Sequence, residues 1–206
     1  MVGKSIVTQE QVLKELSQYP APVAEEFKKA RQAMPDTLTA AQSSAWALAG
    51  AEIARQTVRS WEAAAEFYRA SPRVVGYIPF NYFTRWTECG SALSQESPTL
   101  STAYFEASPG TISKLRSRHI ESWSNLGRSL YKGTWKSSTL ACKFFAASPA
   151  LVTNLTFPEL ERFVGFLEAL SHRSHELSAE CLALGQQLFP LIGGDKLAFI
   201  SLASTL

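Results

Sequence analysis

The chain has 206 residues, 46% of them apolar, 18% charged and 11% aromatic. That composition excludes a disordered or collagen-like chain, and the length is sufficient for a buried core without staples. A net charge of +2 is too small to predict nucleic-acid or membrane binding, and three scattered cysteines argue against a disulfide framework or a zinc site.

Read in chain order, Thr8-Gln-Glu-Gln11 fits a capping box and opens a helix to about Tyr19. "PAPVAEEFKKARQAM" suggests a second helix after Pro22. Residues 1–36 are read as an N-terminal helical cap. The opening "MVGKSIVTQEQVLKEL" lacks the apolar core of a signal peptide, and no uncharged run reaches the roughly 20 apolar residues of a membrane span. The expectation is a cytoplasmic protein that does not enter a membrane, with Cys89, Cys142 and Cys181 as small buried hydrophobes.

From residue 37 the chain repeats itself. The phrases "EFYRASPRVV", "AYFEASPGTI" and "KFFAASPALV" set Ser71-Pro72, Ser108-Pro109 and Ser148-Pro149 at offsets of 37 and 40 residues. Upstream stand "WALAGAEI", "WTECGSAL" and "WSNLGRSL", each with Trp, Gly four residues on, and an aliphatic three further. A fourth copy, "FVGFLEAL", puts Phe163 in the tryptophan position and Leu170 in the last. Positions i, i+4 and i+7 share one helix face, so Trp46, Trp86 and Trp123 are core residues. A helical glycine costs about 1 kcal/mol against alanine, so its recurrence at Gly50, Gly90 and Gly127 predicts close helix crossings. Thr39 with Gln42 and Thr156 with Glu159 supply helix starts. The Ser-Pro pairs read as the stop of a second helix, with Ser148 as N-cap and Pro149 as first residue of a short third one. Trp61, less regular than the others, is a candidate exposed contact.

A single helix pair cannot bury both faces, whereas stacked copies form one core. The fold expected is all-α: a HEAT-like α-solenoid of about four repeats of about 40 residues over 37–192. Gly193-Gly194 breaks the chain before a C-terminal capping helix over 193–206.

The combined pattern W-x-x-x-G-x-x-[IL] and [FY]-[FY]-x-A-S-P resembles helical repeats that accompany von Willebrand A proteins of the CoxE and nitric-oxide-reductase-activation type, over about 40–192. The resemblance implies an adaptor working with a MoxR-type ATPase. The DxSxS metal motif of the von Willebrand domain is absent from this chain, so the resemblance carries over no metal site.

No G-x-S-x-G, P-loop or HExxH motif occurs, and no enzymatic role or cofactor is expected. Glu168, His172 and Glu176 would share a face of one continuous helix as a weak metal site; a solvated polar face near a helix end is the plainer reading. The primary expectation is a non-enzymatic scaffold or adaptor that binds a protein partner. Its surface would be the second helices, with Arg59, Glu62, Glu66, Arg69, Lys136 and Lys143 as exposed binding residues. The alternative is a nucleic-acid-binding solenoid using the basic segment 114–143, with Lys114, Arg116, Arg118, Arg128 and Lys132 interleaved with Tyr131 and Trp135.

Overall fold

The computed structural model describes residues 8–134 and 138–192. Lys136, Trp135 and the C-terminal capping helix expected over 193–206 lie outside the described residues. The described residues form ten α-helices and one 3-10 turn, with no strand among them. They fall into two compact units, with the chain dividing between Pro109 and Gly110.

The first unit holds α1 (Gln9–Leu16), α2 (Ala21–Ala33), α3 (Ala40–Ala54), α4 (Ser60–Val75), α5 (Phe80–Glu96) and most of α6 (Pro98–Ile112). Reciprocal caps start α1 and α3. The Thr39 N–H donates to Gln42 Oε1 at 2.9 Å and the Gln42 N–H to Thr39 Oγ1 at 3.2 Å, satisfying two of the N–H groups a helix start leaves open. Three helices here reach the next but one in sequence: α1 packs on α3, α2 on α4, and α3 on α5. The second unit repeats this habit with α7 (Ile120–Gly133), α8 (Ser138–Asn154), α9 (Phe157–Ser171) and α10 (His175–Leu188), in which α7 packs on α9 and α8 on α10. At the start of α9, Glu159 accepts both the Thr156 N–H and its hydroxyl at 2.7 Å.

The predicted tryptophans are core. Trp86 and Trp123 are fully enclosed and Trp46 nearly so. Each of the three glycines in the repeated pattern faces an aromatic ring of the following helix: Gly50 faces Tyr68, Gly90 faces Phe105, and Gly127 faces Phe145. A Cβ at any of the three would fall inside the ring's van der Waals envelope. The glycines therefore let ring and backbone meet where any larger residue would hold them apart.

The Ser-Pro pairs correct the expected third helix. α4, α6 and α8 run without interruption through Pro72, Pro109 and Pro149. The serines are buried inside the helix and are not caps. Ser71, Ser108 and Ser148 donate back to the carbonyls of Phe67, Tyr104 and Phe144, four residues earlier, at 2.6, 2.7 and 2.8 Å. Back-bonding of this kind is available only to a helical serine. Interior proline costs about 3 kcal/mol, and the aromatic burial on either side supports the helix through it. Trp61 is half-buried and so is not a fully exposed contact. The three cysteines are likewise half-buried, where full burial was expected, and no disulfide joins them.

A candidate docking groove on the first unit

α3 carries one charged side chain, Glu52, in 15 residues. A helix of this length facing water ordinarily shows a polar stripe opposite its core face. Here the face turned from the core is alanine and serine: Ala41, Ser44, Ala45 and Ala49 leave space, and Leu48 adds an apolar contact. The opposing wall is the face of α5 running from Phe80 through Thr84, Thr87 and Ser91 to Gln95. Between them lies an open groove of about 580 Å³ with Trp46 and Phe83 among its lining residues. Phe80 stacks on Phe83 at 5.5 Å, fixing the aromatic end. Gln56, just past α3, donates to Ser91 Oγ at 2.6 Å, so the end of α3 is pinned to the C-terminal half of α5.

Among the described residues, the only charged ones lining the groove are Glu52 and Glu88, both exposed. Arg85, one turn earlier on α5, approaches Glu88 at 3.5 Å. Glu52 has no ion pair among the described residues. The site is thus an apolar trough with carboxylates at its edge, a shape suited to binding.

The sequence-predicted binding residues sit elsewhere and largely satisfy one another. On α4 and its first turn, Arg59 pairs with Glu62 at 2.8 Å, and Arg69 pairs with Glu66. Arg69 also reaches Glu26 of α2 at 3.4 Å. Glu66 is only 8% exposed, contrary to the expected free surface. Burial pushes its carboxyl above the usual range, and Glu106 and Glu26 push it further, against the pull of Arg69. Glu26 is also raised by burial, but Lys29 and Arg69 outweigh that and hold it below its ordinary value. Lys143 is exposed on α8.

The basic segment of the second unit is spread out. Lys114 is tied to α8, donating to Thr153 Oγ1 at 2.7 Å and the Pro149 carbonyl at 3.3 Å. Arg116 precedes the 3-10 turn (Ser117–His119) before α7 and Arg118 lies within it, donating to His119 Nε2 at 3.2 Å. His119 stacks on Phe157 at 4.2 Å, and partial burial with Arg118 and Arg116 nearby lowers its affinity for a proton, against the pull of Glu161. Arg128 and Lys132 lie one turn apart on α7, with Lys132 in its last turn. Arg118 and Lys132 therefore bracket a helix about 20 Å long. Tyr131, expected to interleave as a stacking platform, is buried.

The weak metal face does not form. His172 caps the end of α9, while Glu176 lies in the first turn of α10, so the two belong to different helices. Among the described residues no group of three or more His, Cys, Asp or Glu is placed to hold a metal ion. No helix among them is long and apolar enough to cross a membrane.

A second apolar feature lies on the second unit. Leu177, Leu184 and Leu191 recur every seven residues and are 53%, 50% and 79% exposed. No protein-family model, curated protein or solved structure matches this chain.

The first-helix groove was not among the sequence-predicted sites. Its signal was present in α3, where "AAQSSAWALAGAEIA" supplies only one charge to a helix with an outward face. Tryptophan periodicity drew attention to the buried side of that helix instead.

Proposed function

We propose that the chain is a non-enzymatic protein–protein interaction scaffold: a HEAT-like α-solenoid of about four repeats, with 1–36 as its N-terminal cap, working as an adaptor in a MoxR-type ATPase and von Willebrand A system. The repeat reading is supported by the glycine-to-ring contact found in three helix pairs and by next-but-one packing within each unit. The observation that carries the interaction reading is the open, mainly apolar groove between α3 and α5. Contiguous apolar surface is what a monomer ordinarily hides and an interaction module keeps. The second unit has a separate exposed apolar feature in Leu177 and Leu184 of α10 and Leu191 just beyond it. The pairing of Arg59 with Glu62 and of Arg69 with Glu66 shifts the preferred surface from α4 to α3 and α5.

The test is site-specific photo-crosslinking in the native cell, with a benzophenone side chain at Thr87 in the groove, at Arg69 on α4, and at Lys143 on α8. A discrete protein adduct at Thr87, identified by mass spectrometry, is the expected result. Identification of an ATPase or a von Willebrand A protein would support the adaptor role specifically. Failure to trap protein at all three positions, together with tight salt-sensitive duplex binding, would replace this reading with the nucleic-acid one.

A further inference from the structure

We infer that the α3–α5 groove of the first unit is the docking site for a basic amphipathic helix of a partner protein, about three to four turns long. This rests on the interaction reading above and names the chemistry of its partner.

The argument begins with length. The lining residues run from Ala41 to Glu52 on α3 and from Phe80 to Gln95 on α5. At 1.5 Å per residue these walls are about 17 and 22 Å long. Such a trough is longer than a compact metabolite needs and matches a helical segment of about eleven to fifteen residues. The second step is relief. Small side chains at Ala41, Ser44 and Ala45 leave room for the projecting residues of a third helix, while Phe80 and Leu48 supply apolar contact for anchors at i, i+3, i+4 and i+7. The third step is charge. Among the described residues, Glu52 and Glu88 are the groove's only ionic lining residues. An apolar anchor row flanked by Lys or Arg satisfies both features, whereas an acidic helix would face the uncompensated charge of Glu52 and a Glu88 offset only by the long contact to Arg85.

The probe is a fluorescein-labelled peptide of about fourteen residues, built from leucine and lysine in helical register. Its controls are a leucine–glutamate peptide in the same register and a leucine–lysine peptide with the periodicity scrambled. Anisotropy titrations with the full chain are expected to show binding of the helical basic peptide alone, with a gain of helical circular dichroism on mixing. The double variant Glu52→Lys, Glu88→Lys and the groove-filling variant Ala45→Trp are each expected to weaken it about tenfold or more. All three positions are exposed, so the folded state of each variant is verifiable by its thermal melt. Equal binding of the acidic or scrambled peptide, or unchanged binding by Ala45→Trp, overturns the inference. A dimer in sedimentation velocity that dissociates in Ala45→Trp also overturns it, in favour of a second copy as occupant. A protein adduct at Thr87 with no peptide binding would leave the scaffold reading standing and remove only this one.

Discussion

At the residue scale, the glycines show how local cost and tertiary fit trade against each other. Gly90 has the Phe105 ring where a Cβ would stand, whereas Gly165, exposed on α9, has nothing within 4 Å of that position. The same chemical change should therefore have opposite signs. Gly165→Ala should stabilise by up to about 1 kcal/mol through helix propensity. Gly90→Ala should destabilise by about 1–3 kcal/mol through overpacking. Urea denaturation of the two variants side by side measures both. The serines divide in the same way. Ser148 accepts the buried Trp123 indole N–H at 2.9 Å, and Ser108 accepts that of Trp86 at 2.7 Å. The Trp46 indole N–H has no acceptor, and its ring instead lies against Phe27 at 5.4 Å. Ser148→Ala strands a buried donor and should cost about 1–3 kcal/mol, and Ser71→Ala, which strands no indole, distinctly less. Glu66 gives a pH signature. Its carboxyl is raised in the folded state by burial first and then by Glu106 and Glu26, so the folded chain holds that proton more tightly than the unfolded one. The stability tied to it is present below the ordinary carboxylate range and is lost as pH rises through the raised value. Glu66→Gln should thus raise the melting temperature at pH 7, and the gain should shrink to nothing on acidification through that range. A gain that is independent of pH would show that desolvation of the charge is not the cause.

At the element scale, periodicity and capping chemistry were legible and proline punctuation was not. Thr39 with Gln42 announced the start of α3 because a cap is a local device, decided by residues three apart. The tryptophan and glycine spacing announced the core faces because burial follows the helical period. Ser148-Pro149 misled because the same dipeptide begins a helix when its serine faces water and continues one when its serine turns back onto a carbonyl. That choice depends on the Trp123 indole of another helix, which no local window contains. The groove was missed for a related reason. It is a property of two helices together, and only the absence of charge on α3 hinted that its outer face was reserved. The charged residues singled out on α4 were real surface chemistry in type, but the i,i+3 register closed Arg59 on Glu62 and Arg69 on Glu66.

At the scale of the whole molecule, a net charge of +2 conceals an uneven distribution. Up to Pro109 there are ten Lys and Arg against eleven Asp and Glu; beyond it there are ten against seven. The unit that carries the groove is slightly acidic, and the one that carries the 114–143 segment is basic. Excess positive charge alone supports loose, salt-sensitive anion binding. Tight binding of nucleic acid needs more: phosphate contacts gathered along a backbone path, and exposed rings or base-reading groups beside them. Lys114 is occupied by Thr153 and the Pro149 carbonyl, Tyr131 is buried, and Arg118 and Lys132 stand at opposite ends of α7. Labelled duplex should therefore bind weakly at low ionic strength and show no measurable binding at about 150 mM salt, where each released counterion gains least. The double variant Arg116→Ala, Arg118→Ala should remove most of what remains at low salt, since those two side chains stand at the start and middle of the 3-10 segment without an ion pair among the described residues. Sub-micromolar affinity retained at about 150 mM salt would mean that the spread-out basic groups act together after all, and the protein-docking assignment of the molecule would have to yield to a nucleic-acid one.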